Sequence, residues 1–208
     1  MEIIYALDLI GTFAFAVYGA SVAIDKEFDI VGVFLCSFLC GVGGGTIREC
    51  ILGNLPFYFY DNNYIFVMLA GMLFSIVTYK IFTHINKSML VVDAIGLATF
   101  AYIGAEKAAN AGLGLFAMML FSALSAAGGG ILKDILVREV PQTLKTDLYI
   151  TPTLVASLVY FLLGPYRTHP LVTLVFIVGI FLARFYAIFH KVQLWQPQHS
   201  SLHSKLWK

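Results

Sequence analysis

The sequence predicts an all-α integral membrane protein, and three observations lead to this fold class. Sixty per cent of the 208 residues are hydrophobic, and the mean hydropathy is +0.85. Only 12% of the residues are charged, which is about half the share found in an ordinary soluble domain. Seven apolar runs each come close to the ~20 residues that an α-helix needs to cross the hydrocarbon core. We therefore expect residues 1–208 to form a single membrane domain with seven transmembrane helices.

The same composition excludes other classes of protein. So few polar residues could not cover the core of a soluble enzyme, and the high apolar content excludes a disordered chain. The 13 basic residues are balanced by 12 acidic ones and form no basic stripe, so no nucleic-acid partner is expected. The sequence contains no H-E-x-x-H, no G-x-S-x-G and no phosphate-binding motif, so neither an enzyme activity nor a cofactor is expected.

The apolar runs follow one another with only short polar segments between them. The first run contains Asp8 and has no basic segment before it, so it is predicted to be a spanning helix and not a cleaved signal peptide. Strands are a poor alternative because the runs are too long and lack a period of two residues. Pro165 and Pro170 leave the boundary before the last run least defined. In chain order, the predicted helices cover residues 3–24, 30–52, 63–83, 89–109, 113–137, 148–165 and 170–190.

The chain contains an internal repeat, in which one ordered series of residues occurs twice with a constant spacing and no gap. Gly43-Gly44-Gly45 recurs as Gly128-Gly129-Gly130, and each triplet is followed by a basic–acidic pair, first Arg48-Glu49 and then Lys133-Asp134. Chance similarity between apolar segments does not reproduce such an ordered series of glycines and charges. Further matched pairs are Asp8 with Asp93, Gly11 with Gly96, Pro56 with Pro141 and Tyr64 with Tyr149.

The repeat predicts how the domain is organised. Repeat one covers residues 3–83 and repeat two covers residues 89–165. Because each repeat holds three spans, an odd number, the second is expected to cross the membrane in the opposite direction to the first. This is the inverted-repeat architecture, which is typical of transport proteins with interrupted helices near the midplane. The seventh helix, 170–190, has no copy, and a tail, 191–208, follows it.

Three glycines in succession within a membrane helix have two interpretations. Glycine in a helix interior is about 1 kcal/mol less favourable than alanine, so a triplet needs a compensating role. Small residues allow neighbouring helices to pack closely. Alternatively, a kink turns backbone carbonyls toward a cavity, where they can solvate a cation. Because the triplet occurs twice, we favour paired kinks on a permeation path, with a monovalent cation near the backbone of Gly44 and Gly129 and close packing as an accompanying role.

Several ionisable side chains within the predicted spans are candidates for a functional site: Asp8, Arg48, Glu49, Asp93, Lys133 and Asp134. A charge within the bilayer costs several kcal/mol unless it is paired or hydrated. Helix lengths put Asp8 and Arg48 in one leaflet and Asp93 and Lys133 in the other. We therefore expect two ion pairs with these partners, or else basic side chains that reach water at the helix ends without contact. The acids of the two basic–acidic pairs either add a negative potential for cations or face the loops.

The distribution of basic residues predicts the orientation in the membrane. With the N-terminus outside, ten Lys and Arg residues lie on the inner side, whereas only Arg48, Lys107 and Arg167 lie on the outer side. We therefore expect the tail, 191–208, to be cytoplasmic.

The doubled motif Gly-Gly-Gly-x-x-(Arg/Lys)-(Glu/Asp), with Asp-x-Ile-Gly opening each repeat, resembles bacterial members of the trimeric intracellular cation channel (TRIC) family. The resemblance implies a homotrimer in the inner membrane, in contact with its lipids, with one pore through each subunit. It also implies permeation of potassium and sodium ions past two helices kinked at 43–45 and 128–130. Arg48 and Lys133 would be the basic residues at the pore, each acting as a gate or neutralised by an acid.

The alternative function is secondary transport of a small neutral solute such as glycine. Inverted repeats and broken helices suit transporters at least as well as channels. The family resemblance is the main reason to favour the channel, and the scarcity of polar residues that could bind a zwitterion is a weaker one.

Overall fold

A computed structural model describes residues 2–82, 86–145, 148–190 and 192, and the regular secondary structure in this part of the chain is helical. The predicted tail, 191–208, lies outside the described residues except for residue 192. The α-helices are α1 (Glu2–Asp25), α2 (Ile30–Ile51), α3 (Asn63–Phe82), α4 (Asn86–Asn110), α5 (Leu115–Leu136), α6 (Gln142–Lys145), α7 (Thr151–Leu162) and α8 (Pro170–His190).

Seven helices, α1–α5, α7 and α8, correspond to the seven predicted spans, and α6 is a short turn of helix between α5 and α7. The helix α7 differs most from its predicted range, 148–165, because it has only 12 residues and is followed by a 3₁₀ turn over Gly164–Thr168. Proline at position 165 cannot donate a backbone hydrogen bond, so the α-helix stops before it. Among the described helices, α1, α2, α5 and α8 are long and apolar enough to cross a membrane, judged by length and composition.

Helices α1, α2, α4 and α5 pack around the centre of the molecule. Phe15 of α1 packs against Phe100 of α4, its equivalent in the repeat, with the ring centroids 5.2 Å apart. Helix α3 packs on α1, where the hydroxyl oxygens of Ser21 and Ser75 lie 2.8 Å apart. This packing leaves the α2–α5 pair, which carries both glycine triplets, in the middle of the fold.

Helices α7 and α8 pack on the second repeat through a cluster of three aromatic rings. Tyr102 of α4, Tyr160 of α7 and Phe176 of α8 have ring centroids 5.5–5.8 Å apart and meet edge to face. This geometry is the favourable one for aromatic rings. The cluster anchors α8 against α4, so that a polar side chain of α8 can reach the centre of the fold.

Candidate functional site

The glycine triplets lie where α2 and α5 pack against each other. A Cβ atom at Gly44 would be 2.4 Å from the carbonyl oxygen of Ser125, and a Cβ atom at Gly129 would be 2.4 Å from the carbonyl oxygen of Cys40. A carbon atom cannot approach a backbone oxygen so closely, so each position requires glycine. The two contacts join equivalent positions of the two repeats. Because residue 40 meets 129 and residue 44 meets 125, the helices run antiparallel.

The remaining glycines of the triplets have different surroundings. Gly43 and Gly128 also face the opposite helix, and the nearest atoms to a Cβ at these positions would be 3.0 and 3.2 Å away. A Cβ at Gly45 would lie 2.5 Å from the ring of Phe57. At Gly130 the nearest atom would be 4.0 Å away, which leaves room for a methyl group. The tight contact therefore involves the first two glycines of each triplet.

The secondary structure is not broken at the glycines, and the kinks at 43–45 and 128–130 stay a prediction. The helix α2 is continuous from Ile30 to Ile51, and α5 is continuous from Leu115 to Leu136. Backbone carbonyls within a continuous α-helix accept hydrogen bonds from the next turn. The short distances between α2 and α5 show that the glycines allow close packing of the two helices. The sequence analysis expected close packing as their accompanying role.

The first charged cluster consists of Asp8, Arg48, Glu49 and Lys107. The Nε and Nη2 atoms of Arg48 donate to Glu49 Oε1 at 3.1 and 2.9 Å, and both side chains are buried. Lys107 Nζ lies 3.5 Å from the same oxygen, although this lysine is half exposed. Arg48 Nη1 also donates to the hydroxyl of Ser125 on the opposite helix at 3.3 Å. The cluster therefore borders the α2–α5 contact, and Asp8 lies within electrostatic reach of its two basic side chains.

The second charged cluster consists of Asp93, Lys133, Asp134 and Arg184, all of them buried. Lys133 Nζ lies 2.6 Å from Asp134 Oδ1 and 4.4 Å from the centroid of the Tyr18 ring. Arg184, on α8, has its Nη2 atom 3.9 Å from Asp93 Oδ2. Because α2 and α5 run antiparallel, Arg48 and Lys133, which follow Gly44 and Gly129 by one helical turn, lie on opposite sides of the glycine contact.

The two expected ion pairs, Asp8–Arg48 and Asp93–Lys133, are not formed. Each aspartate instead accepts a hydrogen bond from a tyrosine, Tyr64 at 2.7 Å and Tyr149 at 2.8 Å. Each basic residue pairs with the acid that follows it in the sequence. The expected pairs do not form because the aspartates are hydrogen-bonded to the tyrosines, and each basic side chain is paired with the acid that follows it. The acids of the basic–acidic pairs are therefore buried counter-charges and do not face loop water.

Sequence reasoning missed four residues of this site: Tyr64, Lys107, Tyr149 and Arg184. The sequence held a signal for the tyrosines, because each lies 56 residues after its aspartate and both were part of the repeat. The signal for Arg184 was weaker, a lone arginine in an otherwise apolar predicted span.

Each cluster brings together two acids and two bases, so neither carries a net formal charge. A basic group that is paired with a buried acid repels a passing cation much less than an isolated one would. The described residues contain no group of three or more His, Cys, Asp or Glu side chains that could hold a metal ion.

The chain matches a family model described as "Glycine transporter" twice, over residues 5–80 and 90–165. The starts of the two matches, residues 5 and 90, are equivalent positions of the internal repeat. The UPF0126 inner membrane protein YadS of Escherichia coli K12 is 36% identical over 160 residues, which is 76% of this chain and 77% of YadS. The UPF0126 membrane protein YvgT of Bacillus subtilis is 36% identical over 145 residues, 69% of this chain and 72% of YvgT.

The fold is similar to solved structures of TRIC channels. A structure solved to explain conductance through TRIC cation channels superposes with a TM-score of 0.86 and 32% identity, covering 94% of this chain and 98% of that one. The TRIC trimeric intracellular cation channel orthologue from Rhodobacter sphaeroides gives a TM-score of 0.85 and 33% identity, covering 92% and 100%.

Proposed function

Because the chain belongs to the TRIC family, which includes the bacterial UPF0126 membrane proteins, we propose that it is a monovalent cation channel with a pore inside each subunit. Potassium, and also sodium, would be the permeant ions. The chain is a multi-pass membrane protein, as its bacterial relatives are. Those of its relatives with solved structures are named as cation channels, which supports a channel over a carrier.

One observation carries the proposal: two neutralised charged clusters lie on opposite sides of the α2–α5 contact within a single chain. A path along this helix pair meets both clusters. The aspartates Asp8 and Asp93 would attract the cation, while the acid of each basic–acidic pair cancels its neighbour's charge. A pore within each subunit needs no contribution from a second copy of the chain.

The glycine contact would be the constriction on this path. No methyl group fits between the helices at Gly44 or Gly129, so conduction requires α2 and α5 to separate there. The ion would then pass the backbone of these two glycines. At this contact the hydroxyl of Ser125 on α5 already accepts a hydrogen bond from Arg48 on α2.

We further propose a homotrimer, with the two repeats inverted across the bacterial inner membrane, the N-terminus outside and the C-terminus in the cytoplasm. The trimer is supported by the name of the Rhodobacter orthologue. The inverted arrangement is supported by the antiparallel α2–α5 pair, whose equivalent glycines make the same contact. The location is supported by the E. coli relative, which is an inner membrane protein.

Glycine transport is the second candidate function, and the description of the matching family model favours it. A carrier would use the same helix pair as a substrate site. It would have to bind a carboxylate and an ammonium group, and both charged clusters already hold such groups in internal pairs.

Single-channel recording of the purified chain in a planar bilayer under asymmetric potassium chloride separates the two functions. We expect discrete openings that reverse near the potassium equilibrium potential, and similar openings after sodium replaces potassium. In parallel, liposomes containing the protein are tested for uptake of labelled glycine. A silent bilayer together with saturable glycine uptake would overturn the channel and make the α2–α5 pair a substrate site.

A further inference from the structure

A groove runs along the outside of the fold between α7 and α8. Its walls are side chains that recur every four residues on the facing sides of the two helices, among them Val155 and Val159 of α7 and Val175 and Gly179 of α8. The groove has a volume of about 550 Å³ and is almost entirely apolar. None of its lining residues belongs to the two charged clusters, so it is a feature separate from the proposed ion path.

The groove is closed on the inside and open on the outside. Its floor contains the rings of Tyr160 and Phe176, which are buried and have their centroids 5.6 Å apart. Its rim includes Val155, Val159 and Val175, each of which is more than half exposed. In a membrane domain this open side faces hydrocarbon. Because an apolar space is not filled by water, a group from the membrane or from another protein chain has to fill it.

Gly179 adds to the open space in the groove. A Cβ atom at this position would have no atom of the described part of the chain within 4 Å. Glycine is a poor helix former, and at Gly44 and Gly129 a close contact between helices compensates for this. No such contact is made at Gly179, although it lies within the continuous helix α8. The space above Gly179 is therefore available to a group from outside the chain.

The length of the groove corresponds to one leaflet of a bilayer. The groove follows α7 from Thr151 to Leu163 and α8 from Leu171 to Ala183. Each of these segments is about 18 Å long at 1.5 Å per residue, and one leaflet has about 15 Å of hydrocarbon. An α-helix with its side chains is about 10 Å wide, and the helices do not separate that far because the rings of the floor are in contact. The groove therefore fits a lipid acyl chain better than a helix of another protein.

A basic side chain lies at one end of the groove. Arg167 is in the 3₁₀ turn that joins α7 to α8, between the lining residues Leu163 and Leu171, and it is half-buried. Its charge is within electrostatic reach of the Tyr160 hydroxyl. It forms no ion pair with an acid in the described part of the chain. Arginine binds phosphate through two parallel hydrogen bonds, and phosphate is the group that a phospholipid would bring to this end.

We propose that the α7–α8 groove binds one anionic phospholipid, with an acyl chain over Gly179 and the phosphate at Arg167. The site lies outside the ion path, so the inference goes beyond the proposed channel function and does not depend on it. The acyl chain supplies the van der Waals contacts that an empty groove would lack. Arg167 favours an anionic headgroup over a zwitterionic one, because an ammonium group in the headgroup offsets part of the attraction. The bound lipid contacts both α7 and α8 and so helps the aromatic cluster to hold α8.

Native mass spectrometry of the full chain, purified in detergent from bacterial membranes, tests the groove. This measurement counts the phospholipids that each chain retains and also gives the oligomeric state. We expect the wild type to retain one phospholipid per chain that Gly179→Leu loses, because the leucine side chain enters the open space without a clash. Two controls should keep this lipid. Gly179→Ala gains helix propensity with little added volume, and Val178→Leu adds volume at an exposed neighbour outside the groove.

Thermal unfolding of the delipidated protein tests the headgroup. Palmitoyl-oleoyl phosphatidylglycerol is compared with phosphatidylcholine that carries the same chains. We expect phosphatidylglycerol to raise the unfolding midpoint by roughly 2–4 °C and to bind about threefold more tightly, as a partly exposed charge contact provides. Arg167→Gln should remove this threefold preference. Arg138→Gln, which removes a charge in the turn after α5, should keep it.

Each outcome supports or overturns a part of the inference. A wild type that retains no phospholipid, and whose midpoint phosphatidylglycerol does not raise, overturns the site. Retention of the lipid by Gly179→Leu assigns the lipid to another surface. If Gly179→Leu instead dissociates the oligomer without losing lipid, the groove is a contact between copies of the chain. An unchanged preference in Arg167→Gln overturns the role of the arginine. None of these measurements requires conduction, so a silent bilayer would contradict the channel function and not this inference.

Discussion

At the residue scale, Gly44 and Gly129 are expected to be intolerant of even a methyl group. Gly44→Ala places a Cβ 2.4 Å from a backbone oxygen of α5, which cannot move without shifting the helix. Alanine favours a helix by about 1 kcal/mol over glycine, but overpacking costs about 1–3 kcal/mol. We expect Gly44→Ala and Gly129→Ala to lower the midpoint of thermal unfolding in detergent.

The matched control for these substitutions lies in the same triplet. At Gly130 the nearest atom to a Cβ would be 4.0 Å away, so Gly130→Ala adds helix propensity without a clash. Its unfolding midpoint should equal or exceed that of the wild type. If Gly44→Ala behaves like Gly130→Ala, the close contact between α2 and α5 is not present in the protein.

At the element scale, α2 and α5 end in the same way but with different residues. Gly53, after α2, has φ +77°, and its equivalent after α5, Arg138, has φ +58°. In both cases the backbone amide of the next residue donates a hydrogen bond to a carbonyl in the last turn of the helix. Asn54 donates to the Glu49 carbonyl, and Glu139 donates to the Asp134 carbonyl. A side chain in the left-handed region costs roughly 1–2 kcal/mol, which glycine avoids.

This difference predicts opposite effects for two substitutions. Arg138→Gly relieves the left-handed strain and is expected to raise the unfolding midpoint by roughly 2–4 °C, as about 1 kcal/mol does in a chain of this size. Gly53→Ala introduces the strain at a position with open space around it and is expected to lower the midpoint. Arg138→Ala controls for the lost charge and should leave the midpoint unchanged. A rise in Arg138→Ala as large as in Arg138→Gly would assign the effect to the charge.

The elements could be predicted from the sequence much better than the contacts within the site. The apolar runs and the short polar segments between them predicted the places of α1–α5, α7 and α8, because a bilayer imposes a minimum apolar length. The shortened α7 was missed because an apolar run does not show whether its last residues are α-helical. The partners of Asp8 and Asp93 were missed for a related reason. Membrane helices are apolar on nearly every side, so the sequence does not fix how each helix is rotated against its neighbours.

At the scale of the whole molecule, the internal repeat and the antiparallel α2–α5 pair lead to a prediction about topology. Leu55 follows α2 and Val140 follows α5; they are equivalent positions of the two repeats, and both are more than half exposed. If the repeats are inverted, these two residues lie on opposite sides of the membrane. The bias of basic residues predicts that Leu55 lies outside and Val140 in the cytoplasm.

Thiol labelling of intact bacterial cells tests this topology. In a background that replaces the exposed Cys50 with serine, Leu55→Cys should react with a membrane-impermeant maleimide from outside. Val140→Cys should react only after the membrane is permeabilised, and the background protein, whose remaining cysteines are buried, should not react in either case. Labelling of both positions from outside would contradict the inversion. Labelling of Val140→Cys alone would keep the inversion and reverse the orientation.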